Sequence, residues 1–309
     1  MIISNRGILI FLGSTVSNIN MHMTLQDILI EARNEHWSTG HFNASESDHF
    51  RAIAEACKEA GAPAIIGLSE GERKHMGLMQ AVALRDAFRG ELGIPVFLNA
   101  DHTKSVDAAK KAVDAGFDSI HIDLSTAPFE ENIAGTKEIV AYAHAKNTDI
   151  SVEGELGYLK GESNVPKEKI AVSAEDYTKP NEALRFVQET GVNRLAIVVG
   201  NIHGISLDEP VLDIERIAAI RALIPERVAL VLHAGSGIPA DQIHAAIEAG
   251  IANIHINTDM RVAFVNGLKH TIAASPDEAA MYKLDAPAME AMKNVVKEKL
   301  ILFRSVKKI

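Results

Sequence analysis

The 309-residue sequence has one cysteine, few aromatic side chains, no basic excess and no long apolar run. A single cysteine, Cys57, excludes an internal disulfide and any cysteine-based zinc cluster, and it fits a reducing compartment. Lys and Arg number 31 against 41 Asp and Glu, a formal net charge of −10, so no basic surface is available to displace the counterions of nucleic acid. No stretch reaches the roughly 18–20 apolar residues that span a bilayer. The segment GILIFLG behind Arg6 resembles a short signal core, but no small-x-small cleavage site follows it cleanly. Residues 1–22 are therefore expected to form an irregular N-terminal extension, with initiation at Met21 or Met23 as an option. A cytoplasmic protein that engages neither nucleic acid nor membrane is expected.

What is present is a chain able to bury a large core, with 47% hydrophobic and 23% charged residues. From about residue 24, short apolar runs alternate with amphipathic stretches, the pattern of βα units. The expected strands are Thr39–Asn43, Pro63–Leu68, Pro95–Asn99, Asp118–Asp123, Asp149–Glu155, Arg194–Gly200, Val228–Leu232 and Ile251–Asn257. Several are apolar at consecutive positions, as in parallel strands buried on both faces. An echo runs through them: Glu59-Ala60-Gly61, Asp114-Ala115-Gly116, Glu189-Thr190-Gly191 and Glu248-Ala249-Gly250 each precede a strand. One helix-stopping turn reused in this way, with eight strands, implies a single α/β domain over 23–309 folded as a (β/α)8 barrel. A doubly wound open sheet is the alternative, but the GxGxxG expected after its first strand is missing. Met289 to Phe303 reads as an additional C-terminal helix.

Thirteen histidines are many for such a chain, and three of them fall where strands end. His102 follows VFLNAD, His203 follows AIVVGNI, and His233 follows VALVL. Active sites of this fold are built at those ends. Three neutral imidazoles from separate strands can converge on one Zn²⁺ at roughly 2.0–2.1 Å and leave a position for substrate. His75, His144, His244 and His270 read as hydrogen-bonded structural residues. After His233, Gly235-Ser236-Gly237 lies between a strand and a helix start, where backbone N–H groups can face a phosphate. Asn257-Thr258-Asp259 can supply further donors at the end of the last strand.

Acid–base equipment is close by. Asp101 precedes His102, and Asp123, Glu153 and Glu155 end strands four and five. Alternation puts Glu153 and Glu155 on one strand face, so at least one needs a cation partner inside the barrel. The long segment between Glu155 and Lys179 reads as a lid or a solvated insertion. The charge run Glu70 to Lys74 reads as a solvated helix start.

The stretches HFNASESDHFRAI, GLSEGERKHMG, LNADHTKS, GFDSIHIDLSTAPFEENI, VEGELGYLKG, VVGNIHG, LHAGSGIP and INTDMRVAF together resemble the class-II, metal-dependent ketose-bisphosphate aldolases, from about Met23 to Phe303. The resemblance implies catalytic Zn²⁺ ligands at His102, His203 and His233. It implies metal-binding acids at Asp123 and Glu155, for a second divalent or a monovalent cation. Asp101 matches the aspartate that moves the proton on the oxygen of the cleaved carbon. Gly204, Gly235, Ser236, Asn257 and Thr258 match the dihydroxyacetone phosphate site, and Asn43 and Ser69 match pocket-lining residues. A homo-oligomer, dimer or tetramer, is implied as well.

Three positions depart from the family pattern around the substrate. Ser163 stands where a lid glutamate is usual, with Glu162 one residue earlier as the acid expected to serve. Ala234 replaces a common glycine before Gly235. His255 replaces a common substrate-contacting asparagine. The implied reaction is the reversible aldol cleavage of a ketose 1,6-bisphosphate, fructose 1,6-bisphosphate first and tagatose 1,6-bisphosphate next. Its products would be dihydroxyacetone phosphate and an aldehyde such as glyceraldehyde 3-phosphate. A metal-dependent hydrolase and a non-catalytic sugar-phosphate sensor are the competing readings.

Overall fold

The computed structural model describes residues 23–157, 159, 173–202 and 210–309. The extension expected over 1–22, together with Glu162, Ser163, His203 and Gly204, lies outside the described residues. Strands β1 (Thr39–Asn43), β2 (Ala64–Leu68), β3 (Val96–Thr103), β4 (Ser119–Ile122), β5 (Ser151–Leu156), β6 (Arg194–Ile197), β7 (Ala229–Leu232) and β8 (Ile251–Ile256) are all parallel and pair in chain order. The ring closes where β8 meets β1, from Thr39 opposite Asn253 to Phe42 opposite Ile256. That pairing makes a closed (β/α)8 barrel and excludes the open doubly wound sheet.

Helix α1 (Leu25–Asn34) precedes the barrel, and α2 (Ser47–Ala60) follows β1. Helices α3 (Glu70–Met76) and α4 (Leu78–Leu92) follow β2, α5 (Val106–Ala115) follows β3, and α6 (Phe129–Lys146) follows β4. Then come α7 (Pro180–Thr190), α8 (Ile214–Leu223), α9 (Ala240–Glu248), α10 (Thr258–Ala274) and α11 (Met281–Leu302). Helix α1 is held at its start by Thr24, whose hydroxyl accepts from the Asp27 N–H at 3.2 Å. Its buried face, Leu25, Ile28, Leu29 and Ala32, meets Ile65, Phe97, Ala229 and Ala252 and floors the barrel. The four echo glycines, Gly61, Gly116, Gly191 and Gly250, have φ of +65°, +98°, +76° and +113°. Each helix–strand turn thus uses backbone that only glycine enters freely.

Outward-facing strand residues such as Phe42, Ile66, Leu98, Ile120, Val152, Leu195, Leu230 and Ile254 are buried beneath the helices. Above the floor, the inward positions are polar: His41, Asn99, Ser119, His121, Glu153, Arg194 and Asn253 are all fully buried. Branched apolar side chains usually fill this space, so the lumen is built around charge.

Two boundaries differ from expectation in ways that matter. Strand β3 runs on to Thr103 rather than stopping at Asn99, with a register shift between Ala100 and Thr103 and a φ of +43° at His102. Such an irregularity re-aims side chains beside active sites, and here it delivers Asp101 and His102 to the rim. Helix α11 starts at Met281, not Met289, and runs through Pro287. Proline normally interrupts a helix. Here Leu284, Ala288, Met292, Val296 and Leu300 form a buried stripe four residues apart, which holds the turn across the proline. Among the described residues, no helix is long and apolar enough to cross a membrane.

Candidate active site and metal centre

A cavity opens at the C-terminal ends of the strands. Asn43, Ser69, Asp101, His102, His233, Ser236, His255, Asn257 and Thr258 line it, with Ala234 and Arg261 as further lining residues. Nine sequence-derived positions are thereby brought together. Asp123 and Glu155 lie beside the cavity, behind His102, and Gly235 sits in its wall, where its N–H donates to the His255 carbonyl at 2.9 Å. A side chain at Gly235 would press within 2.6 Å of Ile254, so only glycine fits that wall.

The two described histidines of the expected triad are each held by a carboxylate. His102 Nδ1 lies 2.8 Å from Asp123 Oδ2, and His233 Nε2 lies 2.7 Å from Glu153 Oε1. Those bonds place a proton on the outer nitrogen of each ring. The inner nitrogens, His102 Nε2 and His233 Nδ1, then face one another at 3.1 Å. Two lone pairs at this distance repel unless a proton or a cation lies between them. Ligands of one tetrahedral zinc at 2.0–2.1 Å are about 3.3 Å apart, and carboxylate-backed imidazoles are the usual way a protein orients such ligands. The donor set therefore fits a divalent ion. Asn201, the asparagine of VVGNIHG, donates to the His233 carbonyl at 3.0 Å and fixes the loop that leads to His203.

Asp101 is buried beside this pair. Burial alone would raise its carboxyl, but His102 and His121 beside it hold it well below the usual carboxylate range. Asn43 Nδ2 donates to Asp101 Oδ2 at 3.0 Å, which leaves Oδ1 without a donor among the described residues. Asp101 is thus an ionised acceptor in the cavity wall, with Oδ1 3.6 Å from His121 Nδ1 and 3.5 Å from His255 Nδ1. Burial also opposes charge on Glu153, and Arg194, His121 and His233 outweigh it. Burial pushes His233 down to about 4 and, with His233 adjacent, His255 down to about 3, so both rings are neutral at pH 7.

The cation partner expected for the inward glutamates is Arg194, whose Nη1 lies 2.8 Å from Glu153 Oε2. Ser236 Oγ accepts from the Asp259 N–H at 3.3 Å, which ties the glycine-rich loop to the start of α10. Ala234 sits there at φ +58°, a left-handed conformation costly for any residue with a side chain. His144 and His244 have structural partners, Asn193 Oδ1 at 3.2 Å and the Leu302 carbonyl at 3.1 Å.

The charge run Glu70 to Lys74 requires correction. Glu72 and Arg73 are buried, 5% and 7% exposed. Glu72 Oε2 accepts from the Ser69 N–H at 2.7 Å and from Asn43 Nδ2 at 3.1 Å. Arg73 reaches back to the carbonyls of Leu68 and Asp101 and to the Thr103 hydroxyl. Helix α3 begins directly at the rim, so its first turn faces the site rather than solvent. Sequence reasoning also missed His121, which lies in the lumen between His102 and Glu155. Its signal was available, because alternation places His121 on the same strand face as Asp123.

Comparison with known proteins agrees with this geometry. The family profile described as "Fructose-bisphosphate aldolase class-II" matches residues 23–308. A fructose-bisphosphate aldolase of Staphylococcus aureus is 35% identical over 281 residues, covering 90% of this chain and 96% of that protein. One from Geobacillus stearothermophilus is 35% identical over 289 residues, covering 92% and 97%. Among solved structures, the YdjI aldolase of Escherichia coli superposes with a TM-score of 0.77 at 30% identity, covering 91% of this chain and 97% of that one. The chain belongs to the class-II fructose-bisphosphate aldolase family and is a lyase that cleaves carbon–carbon bonds.

Proposed function

We propose that the chain catalyses the reversible cleavage of fructose 1,6-bisphosphate to dihydroxyacetone phosphate and glyceraldehyde 3-phosphate. The observation that carries this reading is the ionised Asp101 in the cavity wall, beside imidazoles whose inner nitrogens face each other at 3.1 Å. Asp101 takes the proton from the C4 hydroxyl as the C3–C4 bond breaks and returns it in condensation. Asn43 holds the carboxylate for that transfer through the bond at 3.0 Å. His102 and His233, with His203 by family likeness, would hold a Zn²⁺ ion. When bound, such an ion supplies Lewis-acid stabilisation of the negative charge that develops on the substrate oxygens.

The phosphate of the dihydroxyacetone part is assigned to Gly204, Gly235, Ser236, Asn257 and Thr258. Support comes from Ser236 and Thr258, which line the cavity at the start of α10, where helix N–H groups favour an anion. Asn43 and Ser69 shape the opposite wall. Glu162 exchanges the proton at the nucleophilic carbon. Asp123 and Glu155 are the acids that family likeness gives to a second cation. Self-association to a dimer or tetramer and a cytoplasmic location complete the reading.

A second ketose is favoured by one observation. Ala234 and His255 both line the cavity, so the chain departs from its family around the sugar rather than around the metal ligands. Tagatose 1,6-bisphosphate or another ketose phosphate is therefore the alternative substrate.

A coupled assay for triose phosphate, run over a panel of ketose bisphosphates with and without chelator, tests these points. Release of triose phosphate that stops with chelator is expected. Cleavage insensitive to chelator excludes the metal assignment. Phosphate release without triose indicates a hydrolase, and tight binding without turnover indicates a sensor.

A further inference from the structure

Behind His102, four residues bring one ligand-type atom each within 4.8 Å of one another: His102, His121, Asp123 and Glu155. By spacing alone this cluster accepts a cation, and family likeness expects one at Asp123 and Glu155. The lone pairs of Asp123, however, are already taken. An ionised carboxylate offers about four acceptor sites, and Asp123 fills them. Its Oδ1 accepts from the Ser125 hydroxyl at 2.6 Å and from the Ser125 N–H at 3.3 Å. Its Oδ2 accepts from His102 Nδ1 at 2.8 Å and from the ammonium of Lys104.

Glu155 has an imidazole beside it rather than a full set of donors: His121 Nε2 lies 3.1 Å from its Oε2, close enough for an ion pair but without hydrogen-bond geometry. Lys104 is itself positioned, because its backbone N–H donates to Glu70 Oε1 at 3.0 Å. A metal ion entering the cluster would have to displace the Lys104 ammonium from Asp123.

We propose that Lys104 is the built-in cation of this site. Its ammonium stands where a second metal or a monovalent ion is expected, neutralises Asp123, and through Asp123 keeps the His102 ring turned toward His233. The chain then takes one divalent ion, with no monovalent activator. Lys104 is a positioning residue in this scheme: it touches Asp123 and neither the substrate nor the reacting atoms. The inference rests on the zinc assignment to His102 and His233.

The test is the number of zinc ions bound by the metal-stripped full-length chain, measured by elemental analysis across a zinc titration with and without potassium. It is run on the wild type, K104M and K104R. The wild type is expected to bind one zinc per chain, with an affinity that potassium leaves unchanged. K104M is expected to bind its first zinc roughly tenfold to a hundredfold more weakly, the usual effect of losing an outer partner of a ligand. Potassium or a second zinc should recover that loss, and K104R should behave as the wild type. Two zinc ions on the wild type, potassium-dependent affinity in the wild type, or a K104M variant indistinguishable from it would each overturn the inference. No bound zinc at all would remove the metal assignment and this inference with it, whereas two would remove only the inference. The wild-type measurement decides the question even if a variant fails to fold.

Discussion

Arg194 and Glu153 form an ion pair at 2.8 Å with both side chains fully buried, and their Cα positions are register partners on neighbouring strands β6 and β5. The pair is the hub of the lumen. Arg194 also donates to Asn99 Oδ1 at 3.2 Å, to Asn253 Oδ1 at 3.3 Å and to the Ser119 hydroxyl. Glu153 carries the constraint up to His233, and Asn253 carries it to His255, whose Nε2 lies 3.1 Å from Asn253 Oδ1. The rim of the cavity is thus oriented from below by one guanidinium.

Removing that guanidinium leaves a carboxylate buried without its charge partner. Arg194→Met is expected to lower stability by about 3–5 kcal/mol, the cost of breaking a buried pair from one side. The double variant with Glu153→Gln should recover part of the loss, because no uncompensated charge remains. Urea unfolding of the two single variants and the double variant measures the coupling. Additive losses would show that the two residues act independently.

Ala234 has a φ of +58° in the loop between His233 and Ser236. Left-handed backbone costs an L-residue roughly 1–2 kcal/mol, and glycine returns part of that gain as unfolded-chain entropy. Ala234→Gly is expected to raise stability by about 0.5–1 kcal/mol. A change in the urea midpoint at constant m-value is the measurement, and a midpoint that falls would show that the alanine methyl packs usefully in the loop.

Much of the fold was legible in the sequence for a physical reason. Parallel strands buried on both faces read as consecutive apolar residues, and the glycine stops before β2, β4, β6 and β8 mark where helices end. His102 and His233 were legible because strand ends are where this fold does chemistry. The polar lumen was not. Arg194 reads as the first residue of a strand, and nothing local says that it points inward toward Glu153 some forty residues earlier. Glu72 reads as surface charge, because its burial is decided by the curvature of the rim that brings β1, β2 and β3 together.

Cys57 is fully buried on α2, and burial pushes its thiol up to about 12 from an ordinary value near 9.0. The native chain should resist alkylation at pH 8 and react only on unfolding. The folded state keeps the proton that the unfolded state releases above pH 9. Stability is therefore fully present below that pH and falls as pH rises toward 12, by at most about 1.4 kcal/mol per unit. Alkylation followed by mass spectrometry, in native buffer and in urea, checks the first point. Rapid labelling of the folded chain would contradict the burial.

His255 supplies the last prediction. Its ring stacks on His41, with centroids 3.5 Å apart and planes 9° from parallel, and its Nε2 is committed to Asn253. Asn253 is fixed in turn, its Nδ2 donating to the Thr39 hydroxyl at 2.9 Å. His255 Nδ1 is therefore an acceptor, 3.5 Å from Asp101 Oδ1, and neither atom has a hydrogen-bond donor among the described residues. Two adjacent acceptors in the wall of a polar cavity call for a donor from the ligand, and a sugar hydroxyl is such a group. His255→Leu keeps the bulk and removes the acceptor. It should lower kcat/KM for a ketose bisphosphate roughly tenfold, the equivalent of one hydrogen bond of about 1.4 kcal/mol. His255→Asn, which keeps an acceptor on a shorter arm, should lose less. Zinc content should be unchanged in both, which separates this role from that of His233. A leucine variant with wild-type kcat/KM would show that the substrate hydroxyl is held by Asp101 alone.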